Sequence, residues 1–241
     1  MRIVWVGLMG ILFATASWAQ KVDAPAVKAG DTWTYRVTTE KGSSGWSQTR
    51  DEVIVSRVTS SLIYFTSRPS GSTQPAKEVY AGLDWSRLRD VNGKETVVNR
   101  PFVFPLTAGK TWDVQYTEQH PNKAHRSEQW DTKFTVIGFE PVEVPAGKFN
   151  ALKVEAEGHW SAEPEPTQTV VQGAQSSADA SSTVTQVQKA RAEPVTGRTY
   201  KAFWYAPEVR RWVKSVEEYY GNGGVRNERF AAELEAYRLN D

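Results

Sequence analysis

The strongest constraint on the fold is an alternation of apolar and polar residues that is broken at short intervals by Gly, Pro, Asn and Asp. Between Asp31 and Thr39, for example, Trp33, Tyr35 and Val37 fall on one face of an extended chain. A period of two is typical of β-strands that bury one face, because successive side chains point to opposite sides. The pattern therefore predicts a mainly β protein.

The same alternation predicts further strands along the chain. They cover residues 46–58, 62–66, 83–88, 95–99, 111–118, 127–139, 149–160, 199–205, 210–220 and 226–239. Asn92-Gly93 predicts a hairpin turn, because such a pair favours the positive φ angles of tight turns. The last segment also has apolar residues at helical spacing, but the glycine-rich turn at 221–224 before it favours a strand.

Residues 161–194 break the pattern. This stretch is rich in Ser, Gln, Ala and Thr and lacks large apolar side chains, so it buries too little surface to offset its ordering entropy. We expect one β-rich domain over residues 20–241, with a low-complexity mobile insertion at 161–194. The alternative is that Thr167–Val171 and Thr183–Val187 pair as a protruding hairpin.

The first nineteen residues have the features of a cleavable signal peptide. Arg2 precedes an apolar stretch from Ile3 to Phe13, and small residues end at Ala19, which predicts cleavage before Gln20. The apolar stretch is shorter than the roughly 20 residues that span a bilayer, and no later segment approaches that length. We therefore expect an exported periplasmic protein that does not span a membrane; secretion is the alternative.

The charge balance argues against nucleic acid as a partner. The chain has 29 basic and 28 acidic residues, and loss of Arg2 with the signal would leave equal numbers. A net charge of zero provides no long-range field to attract nucleic acid. Both methionines would also leave with the signal, and the chain is cysteine-free, so a thiolate nucleophile and a disulfide are excluded.

Tryptophan is the compositional outlier. Of ten tryptophans, two lie in the predicted signal. Aromatic side chains fill β cores, and they also form platforms for ligands. Trp33, Trp112, Trp204 and Trp212 are the candidate ligand-binding residues: they either line one cavity or pack structurally.

The sequence provides no catalytic or metal site. His120 and His125 flank a polar turn, and His159 is isolated, whereas zinc needs three or four convergent ligands. Nucleophile-elbow and phosphate-loop motifs are absent from the sequence. We assign no catalytic residue, no metal and no cofactor, and we favour a non-enzymatic protein. Basic residues interleave with aromatic ones over 201–214, which we interpret as the solvated face of an amphipathic hairpin.

Three motifs nevertheless resemble an uncharacterised family of exported bacterial β-rich proteins. They are Phe104-Pro-Leu-Thr-Ala-Gly-Lys-Thr-Trp112, Val144-Pro-Ala-Gly-Lys-Phe-Asn-Ala-Leu-Lys153 and Phe203-Trp-Tyr-Ala-Pro-Glu-Val-Arg-Arg-Trp-Val-Lys214, with Glu233-Leu234 near the end. The resemblance implies a single antiparallel twisted sheet curled into an open barrel or roll. Such a fold is loosely similar to periplasmic carriers of lipoproteins and other hydrophobic ligands.

Three functions remain open at this point. The first is binding of an apolar or amphiphilic ligand, such as a lipid, in an aromatic-lined open barrel. The second is an envelope assembly or accessory protein that contacts a protein partner and has no small ligand. The third is an enzyme that acts on cell-wall or other polysaccharides.

Overall fold

A computed structural model describes residues 21–177, 180–190 and 193–241, without side-chain detail from 167 to 190. The predicted signal peptide lies outside the described residues. The described chain is nearly all β. The strands are β1 Thr32–Lys41, β2 Trp46–Val58, β3 Leu62–Pro69, β4 Glu78–Gly82, β5 Arg87–Val91, β6 Lys94–Asn99, β7 Thr111–Gln119, β8 His125–Val144, β9 Gly147–Pro164, β10 Thr167–Ser177, β11 Ala180–Ala190, β12 Val195–Ala206, β13 Arg211–Tyr220 and β14 Arg226–Arg238.

Twelve of these strands form one antiparallel sheet. Its order is β6-β5-β4-β3-β2-β1-β14-β13-β12-β9-β8-β7, and it curls until the two edge strands, β6 and β7, approach each other across one unsealed seam. The predicted fold class, an antiparallel sheet curled into an open barrel, is therefore confirmed. The C-terminal segment is a strand, as predicted, and fills the position between β1 and β13.

One sequence-based strand was placed too late. Residues 83–86 form a turn, and the strand that was missed, β4, ends just before it at Gly82. The turn is tight because the Gly82 N–H bonds to the Ser86 carbonyl, and Trp85 adopts a positive φ of 60°. The apolar residues of this turn gave it the appearance of a strand.

The insertion contains a two-stranded hairpin. β10 and β11 pair with each other, with Val170 opposite Val187, as a sheet separate from the barrel. The core strands on either side run further into the insertion than the sequence indicated, since Val195 of β12 pairs with Ala162 of β9. Mobility of this hairpin stays a prediction.

The strand directions define two ends of the barrel. The turns after β1, β5, β7 and β13 and the β10–β11 hairpin lie at one end, here called the upper end. The lower end is covered by the chain segments around residues 22 and 106, which pair through two backbone hydrogen bonds between Val22 and Leu106. Phe102 and Leu106 are fully buried there, so the lower end is closed by packing.

The buried carboxylate of Asp31 links three segments of the chain at the lower end. Asp31 is fully buried; its oxygens accept bonds from the Lys28 and Asn240 backbone N–H groups and lie 3.1 and 3.3 Å from an Arg210 guanidinium nitrogen. Arg210 is held at a positive φ of 62°. The contact connects the entry to β1, the β12–β13 corner and the end of β14.

Side chains bridge the seam between the edge strands. The Asn92 amide donates to the Thr117 carbonyl at 2.8 Å and accepts from the Gln119 N–H at 2.7 Å. Arg89 forms two hydrogen bonds, of 2.7 and 2.6 Å, with the Glu118 carboxylate. These contacts replace, at the upper end, the backbone ladder that the edge strands lack.

Candidate functional site

An aromatic cluster fills the lower half of the barrel. Phe102 packs against Tyr205, Phe203 and Trp212, with ring centroids 5.0, 6.2 and 6.3 Å away. Trp85 contacts Trp212 at 6.0 Å. Such edge and tilted contacts between buried rings are typical of a packed core, so this half is scaffold.

One cation is enclosed in this cluster. The guanidinium carbon of Arg211 lies 4.2 Å from the ring centroid of Trp212, 4.4 Å from that of Trp85 and 5.3 Å from those of Trp33 and Tyr35. Its Nε and Nη1 have no hydrogen-bond partner among the described residues. Burial lowers the pKa of Arg211, and the ring faces stabilise the charge in place of a carboxylate.

The upper half of the barrel contains a cavity of about 380 Å³, within the range of small-molecule sites. Its lining comes from β5 and β6 on one side of the seam and from β7, β8, β12 and β13 on the other. The lining residues are Arg87, Leu88, Arg89, Val98, Tyr116, Glu128, Trp130, Thr132, Lys201 and Tyr219. We call this cavity the lumen.

Three stacked rings lie on β7 to β9, and two of them, Tyr116 and Trp130, line the lumen. Tyr116 on β7, Trp130 on β8 and Trp160 on β9 lie side by side, because their register places each opposite the next. The centroid separations are 6.2 Å for Tyr116–Trp130 and 5.9 Å for Trp130–Trp160, with interplanar angles of 11° and 26°. All three are only half-buried, so part of this aromatic surface stays available to a ligand.

Beside these strands, β12 carries a buried lysine. The Lys201 side chain is 8% exposed, and its Nζ lies 3.0 Å from the Asn99 side-chain oxygen and 3.4 Å from the Glu217 carboxylate. The Tyr219 hydroxyl donates to the same carboxylate at 3.1 Å. Burial lowers the pKa of Lys201, the charge of Arg87 lowers it further, and Glu217 opposes both effects.

The carboxylate that lines the lumen is already fully engaged. Glu128 lies 2.7 Å from the His125 ring and accepts from the Asn122 amide and the Trp130 indole N–H, both at 3.1 Å. Arg87 differs, because no hydrogen bond or ion pair joins its side chain to another described residue.

The four tryptophans selected from the sequence lie in three places. Trp33 and Trp212 are in the lower cluster, both against Trp85. Trp112 stacks on Phe134 at 5.5 Å, near the seam. Trp204 lies on the other face of β12, where its ring faces the amines of two lysines and its indole N–H donates to Glu140. The fold thus brings Trp33 and Trp212 together.

The interpretation of 201–214 as a solvated face was wrong for two residues. As whole residues, Lys201 and Arg211 are each 6% exposed. Lys201 is buried because it shares the inward face of β12 with Phe203 and Tyr205. A lysine in phase with two core aromatics was the signal that could have revealed the lumen. The sequence could not show that Trp130 and Arg87 line the same cavity as Lys201, since this depends on pairing between strands that are distant in the chain.

Among the residues that the structure describes, no group of three or more His, Asp or Glu side chains is placed to hold a metal ion. His120 and His125 are instead 3.0 and 2.7 Å from single glutamates. No helix in the described part of the chain is long and apolar enough to cross a membrane.

Comparison with known proteins yields structural likenesses alone. No family model matches the chain, and no curated protein matches it. A solved structure described as a "putative lipoprotein" from Parabacteroides distasonis is 14% identical, with a TM-score of 0.44 over 91% of this chain and 100% of its own. A "putative exported protein with YmcC-like fold" from Bacteroides fragilis is 16% identical, with a TM-score of 0.38 over the same shares. The family resemblance of the motifs stays a prediction.

Proposed function

We propose that this chain is an exported, non-enzymatic protein of the periplasm that binds an amphiphilic ligand in the lumen at the upper end of its barrel. The observation that carries the proposal is that stacked rings and cations line one cavity. The half-buried rings of Tyr116 and Trp130, the buried amine of Lys201 and the guanidinium of Arg87, which is unpartnered among the described residues, all lie in its lining.

This pairing favours an amphiphile over a purely apolar ligand. Covering the flat aromatic wall with apolar groups favours binding by roughly 25 cal/mol for each Å² of apolar surface removed from water. A purely apolar ligand also binds the rings, but more weakly, because it takes Arg87 out of water without giving it a partner, which costs free energy. A molecule with an apolar part and a polar end satisfies both the rings and the cations.

The four candidate tryptophans lie outside the lining of the lumen. Trp33 and Trp212 lie in the closed lower cluster, beneath the lumen, and we propose that they form its base. Trp112 stacks on a core ring at the seam, and Trp204 lies on the opposite face of β12. We therefore assign direct ligand contact to the upper aromatic wall.

The test is a titration with N-phenyl-1-naphthylamine, a neutral apolar probe that fluoresces when it leaves water. We expect saturable binding of one probe per chain and at least a tenfold weaker affinity in Trp130→Leu. The matched control is Trp46→Leu, because Trp46 is 70% exposed at the β2 start and does not line the lumen.

Absence of saturable probe binding would refute the proposal, and so would an equal loss of affinity in both variants. Trp130→Leu is checked for native near-UV circular dichroism before the comparison. If that variant does not fold, Tyr116→Leu replaces it, since Tyr116 lines the same wall.

A second candidate function is docking to an envelope partner. Trp46 and Val225, which are 70% and 69% exposed, lie at the upper ends of β2 and β14, and both strands flank β1. Exposed apolar side chains on neighbouring turns favour contact with another surface. Cross-linking in whole cells tests this: a photoreactive residue at position 46 captures one specific partner if the function is docking, and none if it is not.

A further inference from the structure

We infer that the ligand of the lumen is an anionic amphiphile whose carboxylate or phosphate head lies between Arg87 and Lys201 and whose apolar tail covers Trp130. This inference rests on the proposed function and names its ligand class. It follows from three features of the cavity, taken in turn.

The first feature is that two cations line one cavity from the two sides of the seam. Arg87 is on β5 and Lys201 on β12, and both line the lumen. They are brought together through β6, because Asn99 pairs with Arg87 in the β5–β6 ladder and accepts from Lys201 Nζ. Arg87 is exposed and Lys201 is buried. Their positive charges repel, and an anion placed between them is attracted to both.

The second feature is that the acidic groups nearby are occupied. Glu128 accepts from three side chains, and Glu118 is held by Arg89 through both oxygens. Glu217 serves Lys201 and Tyr219. Arg87 has no such carboxylate among the described residues, so its fork of N–H donors is available for a ligand oxygen pair.

The third feature is the position of the rings relative to the cations. Tyr116 and Trp130 line the same cavity as Arg87 and Lys201, and Trp160 extends the aromatic surface one strand further. A headgroup between the cations therefore leaves its tail in reach of the stacked rings. The direction of the Lys201 pKa agrees with this arrangement, because Arg87 contributes to lowering it, and a bound anion would raise it.

The experiment uses four molecules with the same twelve-carbon tail. Dodecanoate and monododecyl phosphate are anionic, dodecyltrimethylammonium is cationic and dodecyl maltoside is neutral; each displaces N-phenyl-1-naphthylamine from the full chain at pH 7.5, below its micellar concentration. We expect both anions to bind at least tenfold more tightly than the cation, with the neutral molecule between them.

Two variants locate the preference. In Arg87→Gln and in Lys201→Met, we expect the anion and cation affinities to converge to within threefold, each affinity being measured against the probe affinity of the same variant. The control is Arg68→Gln, because Arg68 is an exposed arginine on β3 outside the lumen lining; this variant should keep the full preference.

The outcomes separate the two proposals. Equal affinity for anion and cation, together with saturable probe binding, overturns the headgroup inference and leaves the lumen as a binding site. A preference that survives in Arg87→Gln and Lys201→Met also overturns it. Failure of the probe and of all four amphiphiles overturns both proposals.

Discussion

At the scale of single residues, the most unusual group is the cation inside the aromatic cluster. Arg211 is buried and lacks hydrogen-bond partners for Nε and Nη1 in the described structure. Desolvation of a charge costs several kcal/mol, whereas each ring face returns about 0.5–2 kcal/mol. The two contributions are of similar size, so the charge itself adds little to stability.

This balance predicts the result of two substitutions at Arg211. Arg211→Met should change the free energy of unfolding by less than about 1.5 kcal/mol, because it removes the desolvation cost together with the ring contacts. Arg211→Lys should lose more, since it keeps a buried charge and loses the flat surface that stacks on rings. Urea unfolding followed by near-UV circular dichroism measures both. A larger loss in the Met variant would show that the guanidinium is held by contacts other than the rings.

Buried tyrosines predict an alkaline limit to stability. Burial raises the pKa of Tyr35 and of Tyr205 above the usual 10. Above pH 10 the unfolded chain loses these two protons and the folded chain keeps them, so stability falls as pH rises. Each fully buried tyrosine contributes a slope of up to about 1.4 kcal/mol per pH unit.

Tyr205→Phe tests this assignment. Urea unfolding at pH 8, 10 and 11 should show that the fall in stability between pH 8 and pH 11 is smaller by about 1.4 kcal/mol in the variant, with little change at pH 8. The substitution is mild, because no side-chain hydrogen bond of Tyr205 is found among the described residues. An unchanged slope would contradict a buried, protonated Tyr205.

At the scale of elements, the strands were predictable and their partners were not. The alternation around Trp33 and Tyr35 identifies β1, and the Asn92-Gly93 pair identifies the β5–β6 hairpin, because both are local signals. Pairing of β1 with β14 joins residues that are about two hundred positions apart. The same short sequence, Ala-Gly before a strand, also forms the same turn twice. Gly30 and Gly109 have φ of 87° and 82°, and their N–H groups donate to the Val55 and Val136 carbonyls.

The seam gives an element-scale prediction. Asn92→Gly removes the side chain that bridges β5–β6 to β7 and relaxes a φ of 56° that suits glycine. Loss of this bridge should speed hydrogen exchange of the Gln119 amide by about fivefold, because one hydrogen bond contributes about 1 kcal/mol. Amide exchange measured by NMR reads this directly. Asn92→Asp is the control, since it keeps the acceptor for Gln119, and unchanged exchange in Asn92→Gly would mean that the seam is held elsewhere.

The β10–β11 hairpin gives a second prediction at the scale of elements. Replacing residues 167–190 with a short Gly-Ser linker should leave Tm within about 4 °C of the parent, because these strands pair with each other and not with the barrel sheet. The pairs between β9 and β12 from Ala162 onward are retained. Scanning calorimetry checks this, and a larger fall would show that the hairpin stabilises the barrel.

At the scale of the whole molecule, composition limited the function and topology located the site. The charge balance near zero argued against nucleic acid as a partner, and the cysteine-free chain excluded thiolate and disulfide chemistry. The resemblance of the motifs implied an open barrel. The lumen required more, because Arg87 on β5 reaches Trp130 and Lys201 only when the sheet closes, whereas β8 and β12 already flank β9. Closure therefore brings a second cation to the cavity that the rings and Lys201 line.

The central claim is that the lumen holds a small amphiphile in the cell. Native mass spectrometry of the full chain, exported in a bacterial host and recovered from the periplasm, tests it most directly, and the intact mass also reports whether cleavage precedes Gln20. We predict one bound molecule of lipid-like mass per chain, lost in a Trp130→Leu/Arg87→Gln double variant. Protein without an adduct at every charge state, or the same adduct in the double variant, would contradict the claim.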